Sequence, residues 1–255
     1  MNLKSFTQPI FDMWHRFSDA FSDIQIHMWL VVTIAVFFIV LHYLRRFPII
    51  RNVSIAFSFI PVLIHELGHA ITATLTRSTV SNIHITLTNY GLNKTSSQGF
   101  AQTAPRGWLS NILITFMGYV TPPLMFFLGF YFVEHDKSYI YIAILILMGL
   151  YYLIKTDQKW IPIIILVILF YSGFQLRSEH LTASAHMMHW GYSVFLGLLL
   201  GEIIQSILIT AQLTFKGSDT EWDGSALKDI TLIPNFIWWF IWTFISVMTV
   251  IYTIF

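Results

Sequence analysis

The 255-residue chain has no cysteine, which excludes disulfides, thiol nucleophiles and Cys-ligated metals. Any metal site must then be built from His, Asp and Glu. Charge is scarce as well: 11% of residues are Asp, Glu, Lys or Arg, against about a quarter in a soluble domain. A formal net charge of +1 supplies no electrostatic footprint for nucleic acid, so no such partner is expected. In place of charge the chain carries 56% hydrophobic residues, with a mean hydropathy of +0.67. These residues come in blocks of about 17–25, the length of helix that crosses a hydrocarbon core. An aromatic content of 17%, including nine Trp, suits rings placed at both membrane interfaces.

Seven apolar stretches read as spans, at about residues 26–44, 53–76, 108–132, 138–154, 160–175, 190–214 and 234–255. The fourth and fifth are short, and merging them leaves six. The pattern predicts an all-α polytopic membrane protein of about six to seven transmembrane helices. The first stretch ends at Arg45-Arg46 rather than at a small-residue cleavage site, so it reads as a retained helix. Residues 1–25 place Phe6, Ile10, Phe11, Trp14, Phe17 and Phe21 at helical spacing, which predicts an interfacial amino-terminal segment. Residues 26–255 then form a single membrane-embedded domain. Two polar segments interrupt the spans. In residues 77–107, β-branched residues alternate around Asn89-Tyr90-Gly91, which predicts a small β-hairpin at about 79–101. The other, 215–233, carries Asp219, Glu221, Asp223 and Asp229. Counting crossings puts the amino terminus and the loops at 77–107, 155–159 and 215–233 on one face.

Within the second stretch stands Pro61-Val-Leu-Ile64-His65-Glu66-Leu67-Gly68-His69-Ala70. Residues four apart share a helix face, so His65 and His69 offer two imidazole nitrogens to one metal. Glu66 lies one residue round from His65, close enough to act as general base on a zinc-activated water. Three ionisable groups within five residues at mid-span depth are costly unless they pair, bind something or face a wet cavity. The alternative is a mutually hydrogen-bonded polar cluster that helps the helices pack.

His65-Glu66-Leu67-Gly68-His69-Ala70 in a hydrophobic helix resembles the site-2 protease family of intramembrane zinc metalloproteases, in its compact bacterial form without a PDZ domain. The hairpin after the motif resembles that family's membrane-associated β-segment. Gly118-Tyr119 followed by Pro122-Pro123 resembles a helix-breaking stretch in its compact members. Trp222-Asp223-Gly224 and the residues to Pro234 resemble its carboxy-terminal aspartate segment, although Glu221-Trp222 stands where classical members carry Asn-Pro. The resemblance implies a Zn2+ cofactor held by His65, His69 and Asp223, with Glu66 as the catalytic residue. It also implies a substrate that is a membrane protein or signal-peptide remnant, the lipid bilayer as surroundings, and a multi-pass location in a bacterial cell membrane. Asp219 lies in the same loop as Asp223 and passes the same crossing count, so it stays open as third ligand.

Glu202 is the other acid deep in a stretch, and three roles are open to it. It could orient a ligating His, replace Asp223 as third ligand, or serve helix packing alone. His180, His186 and His189 have no standard ligand spacing and fall on the face away from the motif, so they read as interfacial histidines. An exposed strand of the hairpin offers an edge to an unwound substrate. The contrasting expectation is a non-catalytic metal-binding membrane module, a pseudoprotease or a transport-related protein.

Overall fold

A computed structural model describes residues 11–254 except 13, 16, 20, 89–90, 93–96, 178–180 and 217–220, and the side chains of 172–177 and 181–185. Its elements run α1 (Met28–Tyr43), α2 (Pro48–Phe57), α3 (Phe59–Leu75), β1 (Thr79–Ile85), β2 (Gly99–Ala104), α4 (Trp108–Glu134), α5 (Ser138–Lys155), α6 (Trp160–Arg177), α7 (Leu181–Phe215), α8 (Asp223–Thr231) and α9 (Asn235–Ile254). Every apolar stretch expected to be helical is helical. Among the described residues four helices are long and apolar enough to cross a membrane, and α2 with α3, taken as one bent unit, makes a fifth. The shorter apolar helices are α1 and the Trp160–Tyr171 part of α6. Large apolar side chains face outward, among them Val36 and Val40 of α1, Val167 and Phe170 of α6, and Phe240 and Phe244 of α9. An apolar exterior over helices of this length is what a bilayer solvates. The protein is an integral membrane protein.

The motif stretch is broken by its own sequence. Pro61 has no N–H to give the Phe57 carbonyl, and α2 meets α3 at a bend of 47° beside Ser58. Arg45 ties the break together, its Nε donating to Ser54 Oγ at 2.7 Å and its Nη2 to Ser58 Oγ at 2.9 Å.

Behind the break, α4 is the central helix, packed against α3, α7 and α9. Its Pro122 and Pro123 were expected to break it, yet the helix runs unbroken from Trp108 to Glu134. Each proline removes one N–H, leaving the carbonyls of Gly118 and Tyr119 without main-chain donors. Thr121 Oγ1 donates to Met117 O at 2.7 Å in the same turn, and packing on three sides holds the geometry. The main core includes Leu67 and Ala70 of α3, Phe126 of α4, Tyr141 and Tyr152 of α5, and Leu196 and Leu199 of α7. A separate cluster of Leu227, Trp238 and Trp242 ties α8 to α9 and reaches Phe116 and Tyr119 of α4.

The two strands form an antiparallel pair, Thr79 opposite Ala104 and Ile85 opposite Gly99, with an irregularity between Val80 and Asn82. Asn82 Nδ2 donates to Asp157 Oδ2 at 2.8 Å, and Trp108 Nε1 donates to Ile230 O at 3.0 Å. The loops around 77–107, 155–159 and 215–233 therefore share one end of the molecule, as the crossing count requires. The amino-terminal segment does not join them. Ser138 Oγ donates to Phe21 O, Gln25 N donates to His189 Nδ1 at 3.0 Å, and His27 N donates to Ser193 Oγ at 2.9 Å. These partners lie at the far end of α4, about 40 Å from the sheet at 1.5 Å rise per residue. Between the amino-terminal segment and the sheet the chain therefore crosses an odd number of times on balance, where counting 26–44 and 53–76 as two spans expects two crossings.

Candidate metal centre

The motif helix delivers His65, Glu66 and His69 to one cavity of about 320 Å³. Helix α4 supplies Ile114, Thr115 and Tyr119 to its wall, β2 supplies Gly99, Phe100, Ala101 and Thr103, and Trp222 with Asp223 closes it. Asp223 is the first residue of α8. Its position is fixed from both sides: Ser225 Oγ caps the turn through Trp222 N at 2.9 Å, and Leu227 is fully buried one turn further on. The Trp222 indole lies over Gly224, where a Cβ would meet the ring, so the Asp223-Gly224 pair has a packing cause.

Three donor atoms converge. His65 Nε2 and His69 Nε2 are 3.1 Å apart. Asp223 Oδ2 is 3.2 Å from the first and 3.4 Å from the second. A tetrahedral zinc with bonds of about 2.0–2.1 Å holds neighbouring ligand atoms about 3.3–3.4 Å apart. The triangle's edges of 3.1, 3.2 and 3.4 Å come close to that size. Its chemistry also asks for a cation. His69 Nδ1 donates to the Ile114 carbonyl at 2.7 Å, which leaves the Nε2 lone pair facing a second imidazole and a carboxylate oxygen. Among the described residues, the group of ligand type that converges in this way is His65, His69 and Asp223. Burial raises the Asp223 carboxyl, and where the two imidazoles beside it carry protons, their charge and hydrogen bonds outweigh burial and hold it well below the usual carboxylate range.

Two close approaches make room for this arrangement. A Cβ on Gly118 would run into the His69 ring and stand 2.8 Å from His65 Cε1. Glycine there lets α4 pass directly behind both imidazoles. On the opposite side, a Cβ on Gly99 would stand 3.0 Å from Glu66 Cγ and Oε1, so β2 crosses α3 in contact with the Glu66 carboxyl. Glu66 is 7% exposed, and the Ala101 N–H lies within hydrogen-bond reach of its carboxylate. The strand's other hydrogen-bonding edge, carrying Gly99, Ala101 and Thr103, therefore faces the cavity rather than β1.

Glu202 sits on α7 within electrostatic reach of His65 and Arg45, outside the converging triad. Asp219 and His180 lie outside the described residues. His186 and His189 stand at the start of α7, with His189 holding the amino-terminal segment, far from the cavity. Sequence reasoning did not single out Ile114, whose contribution is a main-chain carbonyl, or the contact of Gly99 with Glu66. In the sequence the Gly118-Tyr119 pair reads as part of a helix-breaking stretch, a water path or a kink. Its position behind the two histidines follows from the α3–α4 crossing, for which no local pattern exists.

A comparison with curated proteins and with solved structures finds no match. The family model described as Peptidase M50B-like matches residues 29–253, from the start of α1 to the end of α9. With nearly its whole length covered, the chain belongs to the Peptidase M50B-like family, membrane-embedded metalloproteases of the site-2 protease type.

Proposed function

We propose that the protein is a zinc endopeptidase that hydrolyses peptide bonds of membrane-spanning or membrane-associated substrates, with His65, His69 and Asp223 as the metal ligands and Glu66 as the general base. One observation carries this most: three lone-pair donors at tetrahedral-edge spacing share a cavity with an uncoordinated buried carboxylate. Bound there, zinc would polarise the scissile carbonyl and lower the pKa of water. Glu66 accepts a proton from the attacking water and returns it to the departing amine. His69 is held in one tautomer by the Ile114 carbonyl, and Asp223 is aimed by the start of α8. The cavity-facing edge of β2 suits a substrate in extended form. A helical peptide bond is shielded by its own hydrogen bonds, and pairing with Gly99, Ala101 and Thr103 would replace them.

A non-catalytic metal-binding module needs the three ligands and nothing more. The Glu66 carboxyl beside them, in contact with β2, favours the hydrolase. The deciding experiment measures zinc per chain and cleavage of a single-span peptide by full-length protein in lipid vesicles. Wild type binds one zinc and cleaves. Glu66→Gln keeps the metal and loses about 10²–10⁴-fold in rate. Asp223→Ala loses the metal, whereas Asp219→Ala keeps it. Wild-type protein without stoichiometric metal, or Glu66→Gln with undiminished cleavage, refutes the assignment.

A further inference from the structure

Tyr119 lines the cavity with a phenol hydroxyl that has no role in the scheme above. Its ring stands edge-on to His65, centroids 4.8 Å apart at 80°, and is braced from behind by Trp242 at 4.7 Å and Trp222 at 6.3 Å. Trp242 is itself fixed, its Nε1 donating to Phe116 O at 3.1 Å. The phenol is thus attached to a rigid aromatic wall rather than to a loop. Its hydroxyl lies within electrostatic reach of the carboxylates of Asp223, Glu202 and Glu66, the first being one of the converging donors and the last the acid beside them in the cavity. Thr115, the neighbouring hydroxyl on the same wall, is committed to Asn111 O at 2.9 Å. Among the described residues the Tyr119 hydroxyl has no hydrogen-bond partner, and a phenol O–H is a hydrogen-bond donor.

Hydrolysis of an amide passes through a tetrahedral stage in which the carbonyl oxygen gains negative charge, and a fixed donor aimed at that oxygen lowers the barrier. Glu66 is an acceptor when it activates water, and Asp223 is anionic, so neither donates to the developing oxyanion. We infer that Tyr119 is a catalytic residue whose hydroxyl donates a hydrogen bond to the scissile carbonyl oxygen as that oxygen becomes an oxyanion. Proton balance is unaffected: the phenol keeps its proton, and the proton taken by Glu66 goes to the amine.

This rests on the proposed protease activity, and the test separates the two. Full-length wild type, Tyr119→Phe and Glu66→Gln are placed in phosphatidylcholine vesicles with one equivalent of zinc. Each is assayed with a synthetic single-span peptide carrying a central Gly-Pro, and with the same peptide bearing a phosphonate in place of the scissile amide. Phenylalanine keeps the ring against His65, so Tyr119→Phe is expected to retain zinc and KM. Its kcat falls by about 10²-fold and its phosphonate affinity by a similar factor, the loss typical of one oxyanion donor. A purely structural role for the ring predicts no change in either quantity, and that result overturns the inference. So does phosphonate binding that is equally tight in both forms. If wild type and Glu66→Gln are equally inert toward the peptide, the protease assignment fails, while phosphonate affinity still decides for or against Tyr119. A phosphonate that binds neither form counts against it.

Discussion

Replacing Gly118 by alanine tests how the centre is built more directly than removing a ligand does. The new methyl would overlap the His69 ring and stand 2.8 Å from His65 Cε1. Ordinary carbon contacts lie at about 3.5–4.0 Å, so α4 or both imidazoles must retreat by well over half an ångström. Metal–ligand distances tolerate only about 0.2 Å. Little can move cheaply: His69 is tied at 2.7 Å to the carbonyl of Ile114, in the same helix as Gly118, and α3 passes α4 so closely at Gly68 that a Cβ there would run into Thr121. Loss of a supporting hydrogen bond to a ligand usually costs about 10–100-fold in metal affinity. Displacing two ligands at once should exceed that, so Gly118→Ala is expected to bind zinc at least about 100-fold more weakly. Gly129→Ala is the control, because its Cβ would press on Leu196 Cδ2 at 2.5 Å, far from the cavity. Both carry an overpacking cost of about 1–3 kcal/mol, but only Gly118→Ala should lose metal. Competitive titration against a zinc dye, with melting temperatures measured alongside, separates the two effects. Wild-type zinc affinity in a folded Gly118→Ala protein would refute the account of α4 as the wall behind the histidines.

Leu227→Ala removes a fully buried side chain from the small cluster that docks α8, at a cost of about 2–5 kcal/mol. Zinc affinity should fall further than in Leu199→Ala, an equally buried truncation in the main core, and equal losses would show that α8 docking does not govern Asp223. Zinc at 100 times its dissociation constant should stabilise wild type by about 2.7 kcal/mol. A chelator should reverse that shift, and Asp223→Ala should show none of it in a thermal melt. Helix-breaking residues near the scissile bond should speed cleavage of a single-span peptide, and helix-locked peptides should resist. A rate independent of substrate helicity would remove the role given to the edge of β2.

What the sequence made legible tracks the range of the interactions involved. His65, Glu66 and His69 are visible because helical periodicity alone places them together, and lipid makes three polar groups in one stretch conspicuous. Pairing Asp223 with them needed information from far along the chain. The shared face of the 77–107 and 215–233 loops supplied part of it, and that inference survived an error elsewhere. Its parity depends on α4 to α7, and it held because the short fourth and fifth blocks fold as two separate helices, α5 and α6, rather than as one. The mistake fell before the motif, where the amino-terminal segment packs at the far end of α4 and one apolar block folds as the bent α2–α3 pair. Hydropathy does not register a bend. The reverse holds at Pro122-Pro123, where local rules predict a break and α3, α7 and α9 hold the helix whole.

The centre joins two parts of different rigidity, and this bears on how it would be filled. His65 and His69 belong to a helix wedged against α4 and strapped at its near end by Arg45, so their spacing is set before any metal arrives. Asp223 belongs to a nine-residue helix that ends where Leu232 adopts φ 61° and Pro234 forbids continuation. A helix that short has little stability of its own. It is held by Leu227, by the Trp222–Tyr119–Trp242 contacts, and by Asp223 itself. Metal binding would therefore fix α8 as much as α8 completes the metal site. Since Trp222 also walls the cavity, the same contact sets the space left for a substrate. A metal held by the carboxylate from the carboxy-terminal half would thus be coupled to the shape of the cleft, whereas the two histidines would only add donor nitrogens.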